Sequence, residues 1–147
     1  MAETNTVRMS LKGTFYQSMD AKGRMTFPAK LREIIGESFT ITKGGDGCLL
    51  VYSNEDFERL SEAVRKLSSK DRNVQRLLMG NANEVEADKQ GRILIPPTLR
   101  AYAGLDKEVA VVGVSNRCEI WDRQKWDSFN DSADIGALLD TLEGIDL

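Results

Sequence analysis

Asp20-Ala-Lys-Gly-Arg24 returns 68 positions later as Asp88-Lys-Gln-Gly-Arg92. The correspondence runs on without a gap: Pro28 meets Pro96, Leu31-Arg32 meets Leu99-Arg100, and Gly36 meets Gly104. Seven of the seventeen positions from Asp20 to Gly36 are identical at this one offset. After one residue of slippage, Val51-Tyr52 and Phe57 align with Ile120-Trp121 and Trp126. Two copies of one supersecondary unit therefore fill about Leu11–Phe57 and Asn83–Trp126. A unit of four short strands and one helix buries too little apolar surface to stand alone. The copies are expected to share one core, related by a pseudo-twofold axis, in a single barrel-like domain. Phe15, Met25, Phe27, Ile41, Leu50, Ile93, Ile95, Val111 and Ile120 are its expected members.

Each copy predicts the same order of elements. Phe15, Gln17 and Met19 alternate with Tyr16 and Ser18, and Val85 and Ala87 with Glu84 and Glu86, which is strand patterning. Asp-x-x-Gly then supplies a tight turn, because glycine tolerates positive φ and aspartate bonds the turn backbone with its own carboxylate. A short strand follows, Arg24–Phe27 or Arg92–Ile95, ended by Pro28 or Pro96, and a short helix runs to Gly36 or Gly104. Two more strands complete each copy: Ser38–Thr42 and Cys48–Tyr52, then Glu108–Val114 and Arg117–Trp121. Between the copies, Phe57, Leu60, Val64 and Leu67 recur at helical spacing, with Asn54 as the expected N-cap. Asp71 is placed to cap a further helix carrying Val74, Leu77 and Leu78. The residues after Asp131 read as a weak helix or partly ordered tail.

The chain has no histidine, which removes Ser-His and Cys-His nucleophile pairs and every histidine-based metal motif. Cys48 and Cys118 make neither a disulfide framework nor a zinc site and read as small apolar fillers. Lys43-Gly-Gly-Asp-Gly47 lacks the Lys-Ser/Thr ending and following helix of a phosphate loop, so it reads as a hairpin connection. Glu84, Glu86 and Asp88 form an acidic strand whose glutamates alternate toward solvent, and no metal site is expected there. No enzyme activity, cofactor or small-molecule substrate is expected. The apolar runs Cys48–Tyr52 and Val109–Val114 fall far short of the roughly 18 residues of a membrane span. Met1–Ser10 is polar and includes Glu3, unlike a signal peptide, so a cytoplasmic location is expected.

The formal charge of −3 hides an asymmetry. From Asp127 to Leu147 there are six acids and no base, leaving the body with 20 bases and 17 acids. Within that body the repeated turn stands out. Apolar positions drift between copies (Met25/Ile93, Phe27/Ile95), as a core tolerates. Asp, Gly and Arg do not drift. Turn geometry accounts for the aspartate and glycine but leaves the arginine unexplained. Two such turns related by pseudo-symmetry would bring Arg24 and Arg92 to one face, with Lys22, Lys89, Lys12 and Arg8 nearby. Guanidinium is a rigid fork matching phosphate oxygens and guanine edges, and an aspartate four residues earlier can orient it. The basic residues Arg59, Arg65, Lys66, Lys70, Arg72 and Arg76 read as a solvated helix face, with a DNA contact or oligomer rim as the alternative. Tyr52, Trp121 and Trp126 read as core, with subunit contact second.

The two Asp-x-x-x-Arg motifs, with Lys-Gly-Arg-Met-Thr-Phe-Pro28, Val-Gln-Arg-Leu-Leu-Met-Gly80 and Val-Gly-Val-Ser-Asn-Arg-Cys-Glu-Ile-Trp121, resemble the MraZ family of bacterial transcriptional regulators. The resemblance spans about Met9–Phe129, leaving Met1–Arg8 as an extension and Asp131–Leu147 as a variable tail. It implies a mainly β, α+β fold: a swapped-hairpin, AbrB-like pseudo-dimeric barrel made of two tandem SpoVT-AbrB-type repeats, 14–57 and 83–126. A helical linker, 58–82, would join them, and 127–147 would be an acidic C-terminal tail. It further implies a ring-shaped homo-oligomer, association with the nucleoid, and binding to promoter direct repeats upstream of its own operon in the division and cell-wall gene cluster. Carried over residue by residue, Arg24, Arg92, Lys22 and Lys89 are the expected DNA-binding residues. Asp20, Asp88, Gly23 and Gly91 are the expected orienting and turn residues. The second turn has Gln90 where the first has Lys22, so the two need not contribute equally. The alternative is an antitoxin-like member of the AbrB superfamily with a protein partner, although such chains usually carry one hairpin unit.

Overall fold

The computed structural model describes residues 9–144. Leu11–Ser18 forms β1, and it pairs outside its own repeat. Its partner is β7 (Glu108–Ser115) of the second repeat, antiparallel over eight pairs from Leu11–Ser115 to Ser18–Glu108. The equivalent strand of the second repeat, β5 (Asn83–Glu86), lies in turn against β3 (Ser38–Lys43) of the first. Each repeat thus lends its opening strand to the other. With β4 (Leu49–Ser53) and β8 (Cys118–Asp122), these strands make a six-stranded antiparallel sheet in the order β1-β7-β8-β4-β3-β5. The short strands β2 (Arg24–Thr26) and β6 (Arg92–Leu94) pair with one another as a separate ribbon. The fold is α+β, mainly antiparallel strand with short helices, built from two exchanged units.

Among the described residues no ladder joins the end strands β1 and β5. The ribbon is tied into the body by paired bonds that repeat across the pseudo-symmetry. Phe27 N–H donates to Gly91 O and Ile95 N–H to Gly23 O, both at 2.9 Å. Met19 N–H donates to Lys107 O at 2.7 Å, and Ala87 N–H to Glu37 O at 2.8 Å. Alternation turns Met25 and Ile93 inward, opposite one another. They join Phe27, Ile95, Leu31, Leu99, Phe39, Ile41, Val51, Val111 and Ile120 in one core cluster, where the Phe27 and Phe39 rings stand 4.7 Å apart.

Two expected core residues lie elsewhere. Phe15 is only partly buried at the edge of that cluster. On β4 it is Leu49 and Val51 that face the core, which turns Leu50 to the opposite side of the sheet. There it packs with Cys48, Ala110, Val112, Trp121 and Trp126 in a second cluster. Helix α5 (Arg123–Ser132) covers this side, its Trp126 ring 5.5 Å and its Phe129 ring 5.7 Å from that of Trp121. Trp121 and Trp126 are therefore packing residues within the chain.

The helices follow their signals with some corrections. Pro28 and Pro96 precede α1 (Ala29–Ile35) and α4 (Pro97–Ala103), and Gly104 ends α4 in the left-handed conformation. Helix α2 (Asn54–Arg65) is capped by Ser53, whose hydroxyl accepts the Asp56 N–H, rather than by Asn54. The Asn54 amide is drawn instead to Thr40, Ser38 and Glu84. Leu67 falls past the end of α2 and is exposed. Asp71 does precede α3 (Arg72–Gly80), but its carboxylate accepts from the Ser68 hydroxyl and leaves the helix uncapped. A last short helix, α6 (Ile135–Leu139), lies in the acidic tail. Among the described residues no helix is long and apolar enough to cross a membrane.

Candidate nucleic-acid interface

The two Asp-x-x-x-Arg turns are near copies of one another. Asp20 N–H donates to Arg24 O at 2.9 Å, and Gly23 N–H to Asp20 O at 3.0 Å. One Asp20 carboxylate oxygen accepts the backbone N–H of both Lys22 and Arg24 at 2.9 Å. The other accepts Arg24 Nε at 3.2 Å. In the second turn Asp88 takes the backbone N–H of Gln90 and Arg92, each at 2.9 Å, and Arg92 Nε at 3.1 Å. These donors favour the ionised carboxylate, the Arg24 or Arg92 backbone N–H most of all, so both aspartates are held below the usual carboxylate pKa. Gly23 and Gly91 adopt φ of 90° and 80°, open to glycine and strained for other residues.

Register sets what the ribbon shows to solvent. Arg24 lies opposite Leu94 and Thr26 opposite Arg92, with Met25 and Ile93 between them facing the core. The period of 2 then puts Arg24, Thr26, Arg92 and Leu94 on the outer face. Arg24 and Arg92 are diagonal neighbours across the ribbon, about 7–8 Å apart. Their side chains keep 42% and 43% exposure despite the aspartate contacts. Each commits only its Nε; among the described residues the terminal guanidinium nitrogens have no hydrogen-bond partner. Leu94, 55% exposed, is the one large apolar residue on this face.

Lys22 and Lys89 are exposed within the two turns, at different places in them, as the Lys22/Gln90 mismatch foreshadows. Lys12 is not nearby. It sits eight residues before Asp20 in an extended segment, roughly 26 Å away at 3.3 Å per residue. Arg8 lies outside the described residues. The groove beside Lys12 is lined instead by Met9, Phe15, Lys30 and Ile34.

Two repeated residues have a role that the sequence reading left open. Arg32 Nε donates to Phe27 O at 2.9 Å, and Arg100 Nε to Ile95 O at 3.0 Å. Each guanidinium lies against the turn glycine of the other repeat, Arg32 on Gly91 and Arg100 on Gly23. Their identity at the common offset was visible. The cross-repeat contact was not, because it joins residues of different copies. Cys48 and Cys118 are buried thiols whose pKa is pushed up to about 12 by desolvation, so neither is a nucleophile at neutral pH.

The arrangement offers two rigid, outward guanidinium forks on a two-stranded ribbon, flanked by lysines and buttressed from behind. A family model described as "MraZ protein, putative antitoxin-like" matches this chain twice, over residues 10–79 and 77–137. Among curated proteins, the transcriptional regulator MraZ of Acetivibrio thermocellus is 48% identical over 128 residues, covering 85% of this chain and 90% of its own length. That of Finegoldia magna is 44% identical over 138 residues, 90% of this chain and 96% of its own. That of Symbiobacterium thermophilum is 48% identical over 124 residues, 82% and 90% respectively.

Proposed function

The chain belongs to the MraZ family, and from that premise we propose that it is a transcriptional regulator that reads DNA with its paired Asp-x-x-x-Arg turns. The observation that carries this reading is the pair Arg24 and Arg92 on the solvent face of the β2–β6 ribbon. With Nε held by Asp20 or Asp88, the two terminal nitrogens form a fork that suits guanine O6 and N7 or two phosphate oxygens. A major groove about 12 Å wide admits a two-stranded ribbon. Lys22 and Lys89 add phosphate contacts, which position the ribbon without reading sequence. Arg32 and Arg100 touch no DNA in this scheme; they hold the turns.

The body of one chain is only weakly basic, so a single ribbon gains limited affinity. A homo-oligomeric ring engaging promoter direct repeats removes that limit, since linked sites gain roughly 10²–10⁴ in avidity. The target we assign is the region upstream of the protein's own operon, in the division and cell-wall gene cluster. The working location is the cytoplasm, on the nucleoid. Two hairpin units fused in one chain favour this reading over an antitoxin-like partner of a toxin.

Titration of that upstream DNA with Arg24→Ala and Arg92→Ala variants tests the proposal. Loss of binding with unchanged fold and oligomer is expected; unchanged affinity in both variants removes it. Affinity should also fall steeply with salt, as phosphate neutralisation releases counterions.

A further inference from the structure

Two exposed surfaces carry complementary apolar and charged chemistry. The first lies on the linker. Leu67, Val74 and Leu77 are 43%, 39% and 59% exposed, and the last two are three residues apart, hence on one face of α3. Arg65, Lys66, Lys70, Arg72 and Arg76 lie in the same stretch, against the single acid Asp71; Arg72 and Arg76 bond Ser69 and Asn73 locally, and among the described residues none of the five cations forms an ion pair. Two other helix arginines are ion-paired: Arg59 with Glu55 and Asp56, and Arg123 with Glu108 and Asp127.

The second surface is the tail. Ile135, Leu138, Leu139 and Leu142 are 67%, 52%, 42% and 38% exposed. Ile135, Leu138 and Leu139 stand at i, i+3 and i+4 on one face of α6, and Leu142 follows just past the helix end. Asp134, Asp140 and Glu143 flank these residues, again without ion pairs among the described residues.

We propose that these surfaces meet between copies: the acidic, apolar tail of one chain docks on the basic, apolar linker face of a second. Apolar residues meet apolar residues, and carboxylates meet cations that, among the described residues, form no ion pair within the chain. The two surfaces belong to opposite halves of the sheet. Helix α3 packs against β3 and α2, whereas α5, from which the tail leaves, packs against β7 and β8. A contact between two different patches is heterologous, and it repeats from copy to copy until the rotation closes. The inference rests on the self-assembly proposed above and names the contact that produces it.

Paired variants test it, with mass measured by light scattering on full-length protein. Leu138→Asp/Leu139→Asp damages only the tail, and Val74→Asp/Leu77→Asp only the linker face. All four positions are exposed, so unchanged melting temperatures verify the fold. Each variant alone should run as a monomer. Mixed, they should form a 1:1 dimer, because one intact tail and one intact face remain between them. Oligomers of wild-type mass in either variant, or monomers that stay apart on mixing, overturn the docking while self-assembly stands. A monomeric wild-type protein overturns both self-assembly and docking, and leaves the DNA reading of Arg24 and Arg92 to its own titration.

Discussion

Arg100 lies so close to Gly23 that a Cβ on the glycine would stand 2.5 Å from Arg100 Nε. Gly91 stands in the same relation to Arg32, at 2.5 Å from its Nη2. Because each arginine donates to the carbonyl of Ile95 or Phe27, and those residues bond back to Gly23 or Gly91, turn and helix from opposite repeats form one unit. The outward arginines are therefore mounted on a hub that both repeats must be folded to complete.

Gly23→Ala should destabilise the protein by about 1–3 kcal/mol, from the positive φ and the displaced Arg100 together. Thermal unfolding would register roughly 2–4 °C per kcal/mol in a chain of this size. The two residues touch, so their effects should not add. Arg100→Ala in the Gly23→Ala background removes the clash and should cost less than it does alone. A strictly additive double-mutant cycle would contradict this coupling.

Asp20 orients Arg24 through charge and hydrogen bonds together, so its two replacements should differ. Asp20→Asn can keep an acceptor for the backbone N–H groups but loses the anion facing Arg24 Nε. Asp20→Ala loses both. DNA affinity should fall in the order wild type, Asn, Ala, with Ala no worse than Arg24→Ala. The carboxylate pKa is lowered on folding, so its contribution is present above the ordinary value of 3.8 and lost only as pH falls through the lower folded value. With no histidine in the chain, affinity at fixed ionic strength should stay flat from pH 5 to 8. A titration step within that window would mean that another group controls the fork.

The residues explain why some of this architecture was readable from sequence and some was not. The repeat was legible because Asp20, Gly23 and Arg24 each do a job that only one or two residue types can do, so they recur unchanged at Asp88, Gly91 and Arg92. The strands were legible from period 2. Burial on a given face was less so. Leu49-Leu50-Val51 is apolar on both faces, because β4 lies between two packed clusters, and nothing local says that Leu50 faces the tryptophans. Asn54 and Ser53 are both capping residues, and the choice between them was made by Thr40, fourteen residues away. Lys12 does not join the turns because β1 is extended and carries it away from Asp20 along the strand, which the repeat alone does not reveal. Contacts between repeats, such as Arg100 on Gly23, are set by the strand exchange and leave no local trace.

The two turns differ in one charge, and salt dependence should report it. Lys22→Gln makes the first turn like the second at this position, whereas Gln90→Lys makes the second like the first. Each change at a phosphate-contacting position should alter the slope of log affinity against log salt by about one per bound chain, down for Lys22→Gln and up for Gln90→Lys. Binding titrations at several salt concentrations measure this. Equal slopes across wild type and both variants would place these side chains away from the phosphates.

The buried thiols bring an alkaline weakness. Desolvation raises the pKa of Cys48 and of Cys118 from 9.0 to about 12, so the folded state keeps its protons where the unfolded chain releases them. Below pH 9 neither state ionises and the thiols are neutral to stability. Between pH 9 and 12 the unfolded state binds fewer protons, so stability falls with rising pH, by about 1.4 kcal/mol per pH unit for each thiol. Tyr52, also raised by burial, adds to the loss above pH 10. The thiols can be isolated by difference. Cys118→Ala loses some stability at neutral pH, since the side chain is fully buried beside Val111 and Ile120, but above pH 9 it should decline less steeply than wild type. Urea unfolding from pH 7 to 11 would measure both slopes. Parallel curves for the two proteins would mean that the Cys118 thiol does not stay protonated in the fold.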